Sequence, residues 1–126
     1  MTVETPNYKP HESLAAMSSR YVTVDDIPWQ QTQFPGIEMK VLMEDKVTGM
    51  MTTLTRLAAG AVLPDHTHAG IEQSWVIEGT LQDHEGSVTA GNCVWRPAGS
   101  RHVANSPDGC LVPGFFQKPN TFHDDG

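Results

Sequence analysis

Short runs of apolar and β-branched residues, separated by turn residues, make up most of the chain. These strand-like runs lie at 21–24, 37–44, 50–57, 72–78, 80–83, 87–90, 93–96, 102–105 and 111–117, and no segment has a persuasive helical period. Turn sequences at 45–49, 84–86, 97–99 and 107–109 stand between them. Many short strands at regular spacing predict a sandwich or barrel, and a double-sheet jelly roll hides the edges of such strands. We therefore expect an all-β fold with an interior that holds a pocket.

The two ends of the chain lack this pattern. Residues 1–20 mix prolines and polar residues with one short apolar run, which predicts a loose N-terminal arm with one helical turn, able to pack on a partner subunit. Residues 119–126 are polar and predict a surface or disordered tail, in which His123 binds nothing. Residues 21–118 are then expected to form a single domain, because 126 residues is the length of one domain.

Charge and hydropathy narrow the range of partners. The net charge is −7 with eight basic residues, which repels phosphate backbones and anionic membrane surfaces. No apolar run approaches the ~20 residues of a membrane span, and the N-terminal region has no signal-like pattern. We expect a cytoplasmic protein without a nucleic-acid or membrane partner. Cys93 and Cys110 lack a CxxC spacing, so both are predicted to be reduced thiols in or near the core.

Residues 60–79, GAVLPDHTHAGIEQSWVIEG, contain a cluster of possible metal ligands. His66 and His68 are two residues apart and share one face of a strand, and Glu72 keeps that parity if the extended chain continues through 69–71. A further histidine, His102, follows inside GNCVWRPAGSRHVAN. One isolated histidine would be expected to hydrogen-bond a carbonyl, but the constellation favours one divalent transition metal, Fe, Zn or Ni. Because the ligand spacing suits a strand and not a helix, the scaffold should be β.

Strand parity also orders the residues that follow Glu72. Ser74 and Val76 should share its face, and Ser74 either lines the pocket or fills a tight gap. The intervening residues Gln73, Trp75 and Ile77 should face away, toward the other sheet or another subunit.

Several other side chains near these segments have two possible roles. Arg56 and Arg96 could each orient an anionic substrate through a bidentate contact, but a solvated surface position is favoured for both. His84 is expected in a solvated hairpin turn, and its two acidic neighbours give a weak hint of a second metal site. Four large apolar residues are favoured as plain core, with a sleeve at the barrel mouth as the alternative: Trp95, Phe115, Met51 and Met43.

The two histidine-containing segments resemble the paired signature motifs of the cupin superfamily. The first motif has Gly, five residues, His-x-His, three or four residues, Glu, six residues and Gly, and it is matched by Gly60, His66, His68, Glu72 and Gly79. The second has Gly, five residues, Pro-x-Gly, two residues and His before an Asn. Gly91, Pro97, Gly99 and His102 match it, while Asn105 stands one residue early. The resemblance implies a double-stranded β-helix, the jelly-roll barrel of RmlC-like cupins.

Within the superfamily, the stretch LQDHEGSVTAGNCVWRPAGSRH is similar to the cupin domain of ChrR-type anti-sigma factors and to acetylacetone- and dihydroxyacetophenone-cleaving dioxygenases. Two functions follow from this resemblance. One is a stand-alone non-heme iron dioxygenase that acts on a small diketone or hydroxyketone. In that case His66, His68 and His102 hold the metal, and Glu72 either completes the shell or orients a ligand as a catalytic residue.

The other function is a zinc-binding sensory or interaction module without turnover. Sugar-nucleotide epimerase, phosphomannose isomerase and seed-storage functions are less favoured, because the chain is short and its ChrR-like stretch indicates another group. Small cupins commonly pair by strand exchange, so the resemblance also implies a homodimer.

Overall fold

The computed structural model describes residues 2–123, which contain twelve β-strands and two short 3-10 helices. The helices are Lys9–His11 and Val24–Asp26. Neither of these described helices has the length and apolarity that crossing a membrane would require. The strands are β1 Val3–Glu4, β2 Gln30–Gln31, β3 Ile37–Asp45, β4 Met51–Leu57, β5 Val62–His68, β6 Glu72–Trp75, β7 Glu78–Gln82, β8 Ser87–Thr89, β9 Cys93–Arg96, β10 Arg101–Asn105, β11 Cys110–Phe116 and β12 Asn120–Phe122.

Every strand pairing is antiparallel, and the strands form two groups. Strands β1, β2, β3, β4, β11, β6 and β9 make up the first, and β12, β5, β10, β7 and β8 make up the second. Strand β11 joins the groups, since it pairs with β4, β6 and β7. The apolar core takes residues from both groups: Ile37, Leu57, Ala61, Val76, Leu81, Val88, Ala104, Cys110 and Val112. The predicted all-β jelly roll is thus confirmed.

Two predictions about the ends of the barrel are wrong. The strand expected at 21–24 is absent, and Tyr21 is 84% exposed. Its β-branched residues run directly into the 3-10 helix at Val24–Asp26 and find no strand partner there. The start of the N-terminal arm is not loose, because β1 pairs with β3. The helical turn predicted for the arm is present at Lys9–His11.

The segment expected to be a surface or disordered tail instead adds a strand to the second group. β12 pairs with β5, with Phe122 opposite His66 and Asn120 opposite His68. His123, which follows β12, lies 2.6 Å from Thr67 through Nε2 and Oγ1. The terminal residues 124–126 lie outside the described residues. That His123 holds no ligand stays a prediction.

The outer face of the β6–β9 pair carries large apolar side chains. Trp75 is 44% exposed, whereas Ser74 and Val76 are buried, so the alternation predicted after Glu72 is confirmed. Trp95 is 65% exposed, and the core position favoured for it is wrong, because the odd-numbered residues of β9 face outward. Cys93 shares the outward face, and the prediction that it lies in or near the core is wrong. Cys110 is buried in the core as expected. The homodimer stays a prediction.

The junction between the two groups of strands depends on close backbone approach at Gly79. This residue has a φ of +78°, and a Cβ added to it would lie 1.8 Å from the carbonyl oxygen of Gly109. Gly79 pairs with Cys110, so the approach occurs where β7 meets β11. A side chain here would push the two strands apart.

We expect Gly79→Ala to cost about 3 kcal/mol of unfolding free energy or more, because strain and a backbone clash add together. Gly91 is the matched control, since its φ is +87° and an added Cβ would meet nothing within 4 Å. Gly91→Ala should cost about 1–2 kcal/mol from backbone strain alone. Urea denaturation of both variants measures the difference, and equal losses would contradict the close-approach argument.

Candidate metal centre

Three strands bring the predicted ligands together inside the barrel. His66 and His68 lie on β5, Glu72 opens β6, and His102 on β10 stands directly opposite His66. The three histidines are buried, with 2%, 1% and 4% of their surface exposed for His66, His68 and His102. The alternation of β5 therefore directs both of its histidines inward, as the sequence predicts.

His66, His68 and Glu72 form a compact group of donor atoms. Each offers one ligand atom, and these atoms all lie within 4.8 Å of one another. The ring centroids of His66 and His68 are 4.8 Å apart. His68 Nδ1 and Glu72 Oε2 approach to 2.5 Å, although neither atom has a partner with hydrogen-bond geometry. Ligand atoms this close to one another could hold one metal ion.

The tautomer of His66 leaves a nitrogen available for a ligand. Its Nδ1 lies 2.7 Å from the Pro64 carbonyl oxygen, which can only accept, so Nδ1–H donates and Nε2 carries the lone pair. Burial lowers the pKa of His66 below its usual range. The Pro64 contact opposes this shift, and nearby His68 adds to it. At neutral pH the ring is thus neutral, the form that binds metals.

Buried polar atoms without a hydrogen-bond partner indicate whether these residues are suited to hold a metal. Within residues 2–123, six buried side-chain nitrogen or oxygen atoms lack a hydrogen-bond partner: Thr53 Oγ1, His68 Nδ1, His68 Nε2, Glu72 Oε2, His102 Nδ1 and Asn120 Oδ1. Four of the six belong to the predicted ligands. Leaving such atoms unpaired costs about 1–3 kcal/mol each. A divalent cation would coordinate several of them, so the residues fit a metal.

Glu72 is held as a carboxylate. Burial opposes its ionisation, but the pKa of Glu72 is still lowered overall because His68, the Ser74 hydroxyl and Arg96 all favour the charged form. Ser74 Oγ donates to Glu72 Oε1 at 3.0 Å. Ser74 therefore also orients Glu72, besides lining the pocket. A carboxylate fixed in this way can ligate a cation or accept a proton.

His102 lies beside this group, but its Nε2 points toward Glu85. Its ring centroid is 5.5 Å from that of His68. Its Nε2 lies 2.6 Å from Glu85 Oε1, so Nε2 donates and the unpartnered Nδ1 carries the lone pair. The structure thus brings together His66, His68 and Glu72, with His102 adjacent to them and tied to the 83–86 turn.

A second group of possible ligands, Asp83, Glu85 and His102, lies at the same turn. Both Asp83 oxygens are already engaged. Oδ1 accepts the backbone N–H groups of Glu85 and Gly86, and Oδ2 pairs with Arg96. His84 does not belong to this group. Its side chain is 66% exposed, as a solvated turn predicts.

Two cavities adjoin the candidate ligands. An inner cavity of about 70 Å³ is lined by His66, Glu72, Ser74 and Phe116 among others. An outer cleft of about 510 Å³ is lined by Glu85, His102 and Trp95 among others. Phe116 lines the inner cavity and Phe115 does not, because Phe116 pairs with Glu72 and shares its inward face. Neither Met43 nor Met51 lines either cavity.

Arg96 lines both cavities, and the predicted surface position for it is wrong. It is 7% exposed, and its Nη1 lies 2.5 Å from Asp83 Oδ2. The alternation of β9, with Cys93 and Trp95 outward, is the sequence signal that could have placed it inside. Arg56 does lie at the surface as predicted, where it pairs with Glu38 at 3.1 Å.

Solved structures of similar fold include one acetylacetone dioxygenase and one protein proposed to be such an enzyme. One is a proposed acetylacetone dioxygenase from Methylibium petroleiphilum, with a TM-score of 0.79 and 22% identity over 89% of this chain and 85% of that chain. Another is an acetylacetone dioxygenase from Acinetobacter johnsonii, with a TM-score of 0.74 and 20% identity over 90% of this chain and 83% of that one. At these identities the likeness establishes the fold.

A third similar structure is the complex of SigE with the anti-sigma factor ChrR from Rhodobacter sphaeroides. Its TM-score is 0.64 at 20% identity, and the match covers 74% of this chain and 51% of that chain. No curated protein sequence matches significantly. The model of the ChrR cupin-like domain family matches residues 17–117, which is well over half of the chain. The chain therefore belongs to the ChrR cupin-like domain family.

Proposed function

We propose that this protein is a metal-dependent, dioxygenase-type cupin that acts on a small diketone or hydroxyketone. The observation that carries the proposal is the convergence of buried ligand atoms of His66, His68 and Glu72 within 4.8 Å of one another, with His68 Nε2 left without a hydrogen-bond partner, beside an inner cavity that His66 and Glu72 line. His66, His68 and His102 would hold the metal, with Glu72 as a fourth ligand or an orienting carboxylate. The fold likeness to acetylacetone dioxygenases supports this choice.

The chain's own residues would supply the setting for that chemistry. A divalent iron held by His66, His68 and His102 would supply Lewis acidity toward an enolisable ketone and the redox chemistry that dioxygen requires. Glu72, ionised and next to the inner cavity, can accept the proton that enolisation releases. Leu63, Leu81 and Phe116 form an apolar wall that limits water around the reacting end.

A second candidate is a zinc-binding sensory module without turnover. It is favoured by the family match, because that family takes its name from ChrR, and by the likeness to ChrR in its complex with SigE. A gene for a sigma factor beside the gene for this protein would support it.

The two histidines of β5 should be indispensable for the metal. We expect the His66→Ala/His68→Ala double variant to lose all metal through gel filtration, because two of the proposed ligands are gone. His11→Ala is the control, since His11 lies outside the site against Tyr8 and the Tyr21 carbonyl. Elemental analysis by mass spectrometry measures the content, and unchanged metal in the double variant would refute the site.

His102 and Glu85 distinguish the two possible ligand groups. If His102 ligates together with His66 and His68, His102→Ala should weaken metal affinity strongly, whereas Glu85→Gln should weaken it less, because it removes only the carboxylate that His102 Nε2 contacts. Competition with a chelator of known affinity gives both values. Equal loss in the two variants would instead place the metal among Asp83, Glu85 and His102.

Oxygen consumption separates the enzyme from the sensor. Protein loaded with ferrous iron should consume dioxygen when acetylacetone or a simple hydroxyketone is added, while zinc-loaded protein should not. An oxygen electrode measures the rate, with the His66→Ala/His68→Ala variant as the blank. Protein that carries zinc alone after expression, and consumes no oxygen after iron loading, would argue for the sensory module.

A further inference from the structure

A buried cation stands at the wall that the two cavities share. Arg96 is 7% exposed and lines both the inner cavity and the outer cleft. On β9 it lies directly opposite Glu72 on β6, so its side chain borders the candidate ligands. Leu81 is the other residue that lines both spaces, and it is apolar. A ligand that occupied both spaces would therefore lie against Arg96 and Leu81.

The Arg96 guanidinium has more N–H donors than its contact with Asp83 uses. It has five N–H groups, and within residues 2–123 its hydrogen bond is the one from Nη1 to Asp83 Oδ2. Asp83 is in turn held by the backbone N–H groups of Glu85 and Gly86, at 2.7 and 3.1 Å. Burial disfavours charge on Asp83, but these N–H groups and Arg96 hold the pKa of that carboxyl below its usual range. Arg96 is thus anchored through Nη1, which leaves its other N–H groups for a ligand in the cavities that this residue lines.

A purely structural role explains this arrangement less well. A buried ion pair generally contributes little more stability than apolar residues of the same volume. The neighbouring walls of the inner cavity are apolar at Leu63, Ala104 and Val112. A fixed, planar fork of donors is the group that proteins use for bidentate recognition of a carboxylate.

The cavity sizes fit a ligand with two ends. The inner cavity of about 70 Å³ has room for a few non-hydrogen atoms. The outer cleft of about 510 Å³ lies within the usual range of small-molecule sites. A small ketone could place its reacting oxygens beside His66 and Glu72, with a carboxylate at Arg96 on the boundary.

We propose that Arg96 is a specificity-determining residue that binds a carboxylate of the substrate, and that the substrate class is a small ketone carrying a carboxylate. This inference rests on the proposed function for the reacting end of the molecule. The carboxylate contact itself uses protein atoms alone. It can therefore be measured without turnover.

Acetylacetone and acetopyruvate form a matched pair of probes, because acetopyruvate has a carboxylate in place of one terminal methyl group. Calorimetric titration of zinc-loaded and metal-free protein gives the affinity for each probe without oxidation. We expect the wild type to prefer acetopyruvate. The Arg96→Gln/Asp83→Asn double variant removes both charges and so leaves no unpaired buried ion. It should lower the ratio of the two affinities roughly 10- to 100-fold, the value of a hydrogen bond to a charged group.

Two single variants complete the test. Arg96→Lys keeps the charge without the fork, so an intermediate ratio is expected. Arg56→Gln removes an exposed arginine that pairs with Glu38, and it should leave the ratio at the wild-type value. Thermal unfolding checks that each variant is folded.

The outcomes separate this inference from the proposed function. A wild type that binds acetylacetone as well as acetopyruvate, or binds neither, overturns the carboxylate role of Arg96. An unchanged ratio in both Arg96 variants does the same. Binding of acetopyruvate that depends on Arg96, without oxygen consumption by the iron-loaded protein, supports the carboxylate site and overturns the dioxygenase.

Discussion

Unpaired polar atoms buried inside the barrel are the constraint on which the rest of this structure depends. A small jelly roll is normally filled with apolar side chains, yet this one directs His66, His68, Glu72 and His102 inward. Contacts with Pro64, Ser74 and Glu85 offset part of the cost of their desolvation, and a bound cation would offset more of it. The apolar cluster that includes Ile37 and the paired β-strands provide the stability that allows such a site.

The charged side chains around the site form a chain of consecutive contacts. Glu72 is oriented by Ser74, and it stands opposite Arg96 on the adjacent strand β9. Arg96 is held in turn by Asp83. Asp83 in turn begins the turn whose Glu85 contacts His102. One short hairpin thus connects the cation that lines the cavities with the third histidine. A change in that turn would therefore alter the contacts of both Arg96 and His102.

Much of the fold and part of the site could be predicted from the sequence. Strict alternation on β5 was enough to place His66 and His68 on one inner face. Arg96 was misplaced because a lone arginine is usually solvated, and its partner Asp83 is thirteen positions away. β12 was missed because its three residues carry no pattern of their own and pair through β5 alone. Contacts between distant segments decided both cases.

The pairing of β12 with β5 also has a consequence for the order of assembly. Thr67 and His123 are in contact across 56 positions, and Phe122 packs against the His66 ring at 5.4 Å. A ribosome must therefore release more than fifty further residues before the histidine-bearing strand gains its outer neighbour. Closing so long a loop is slow relative to forming a hairpin. The final arrangement of the His66 and His68 side chains would then form late, after most of the barrel has folded.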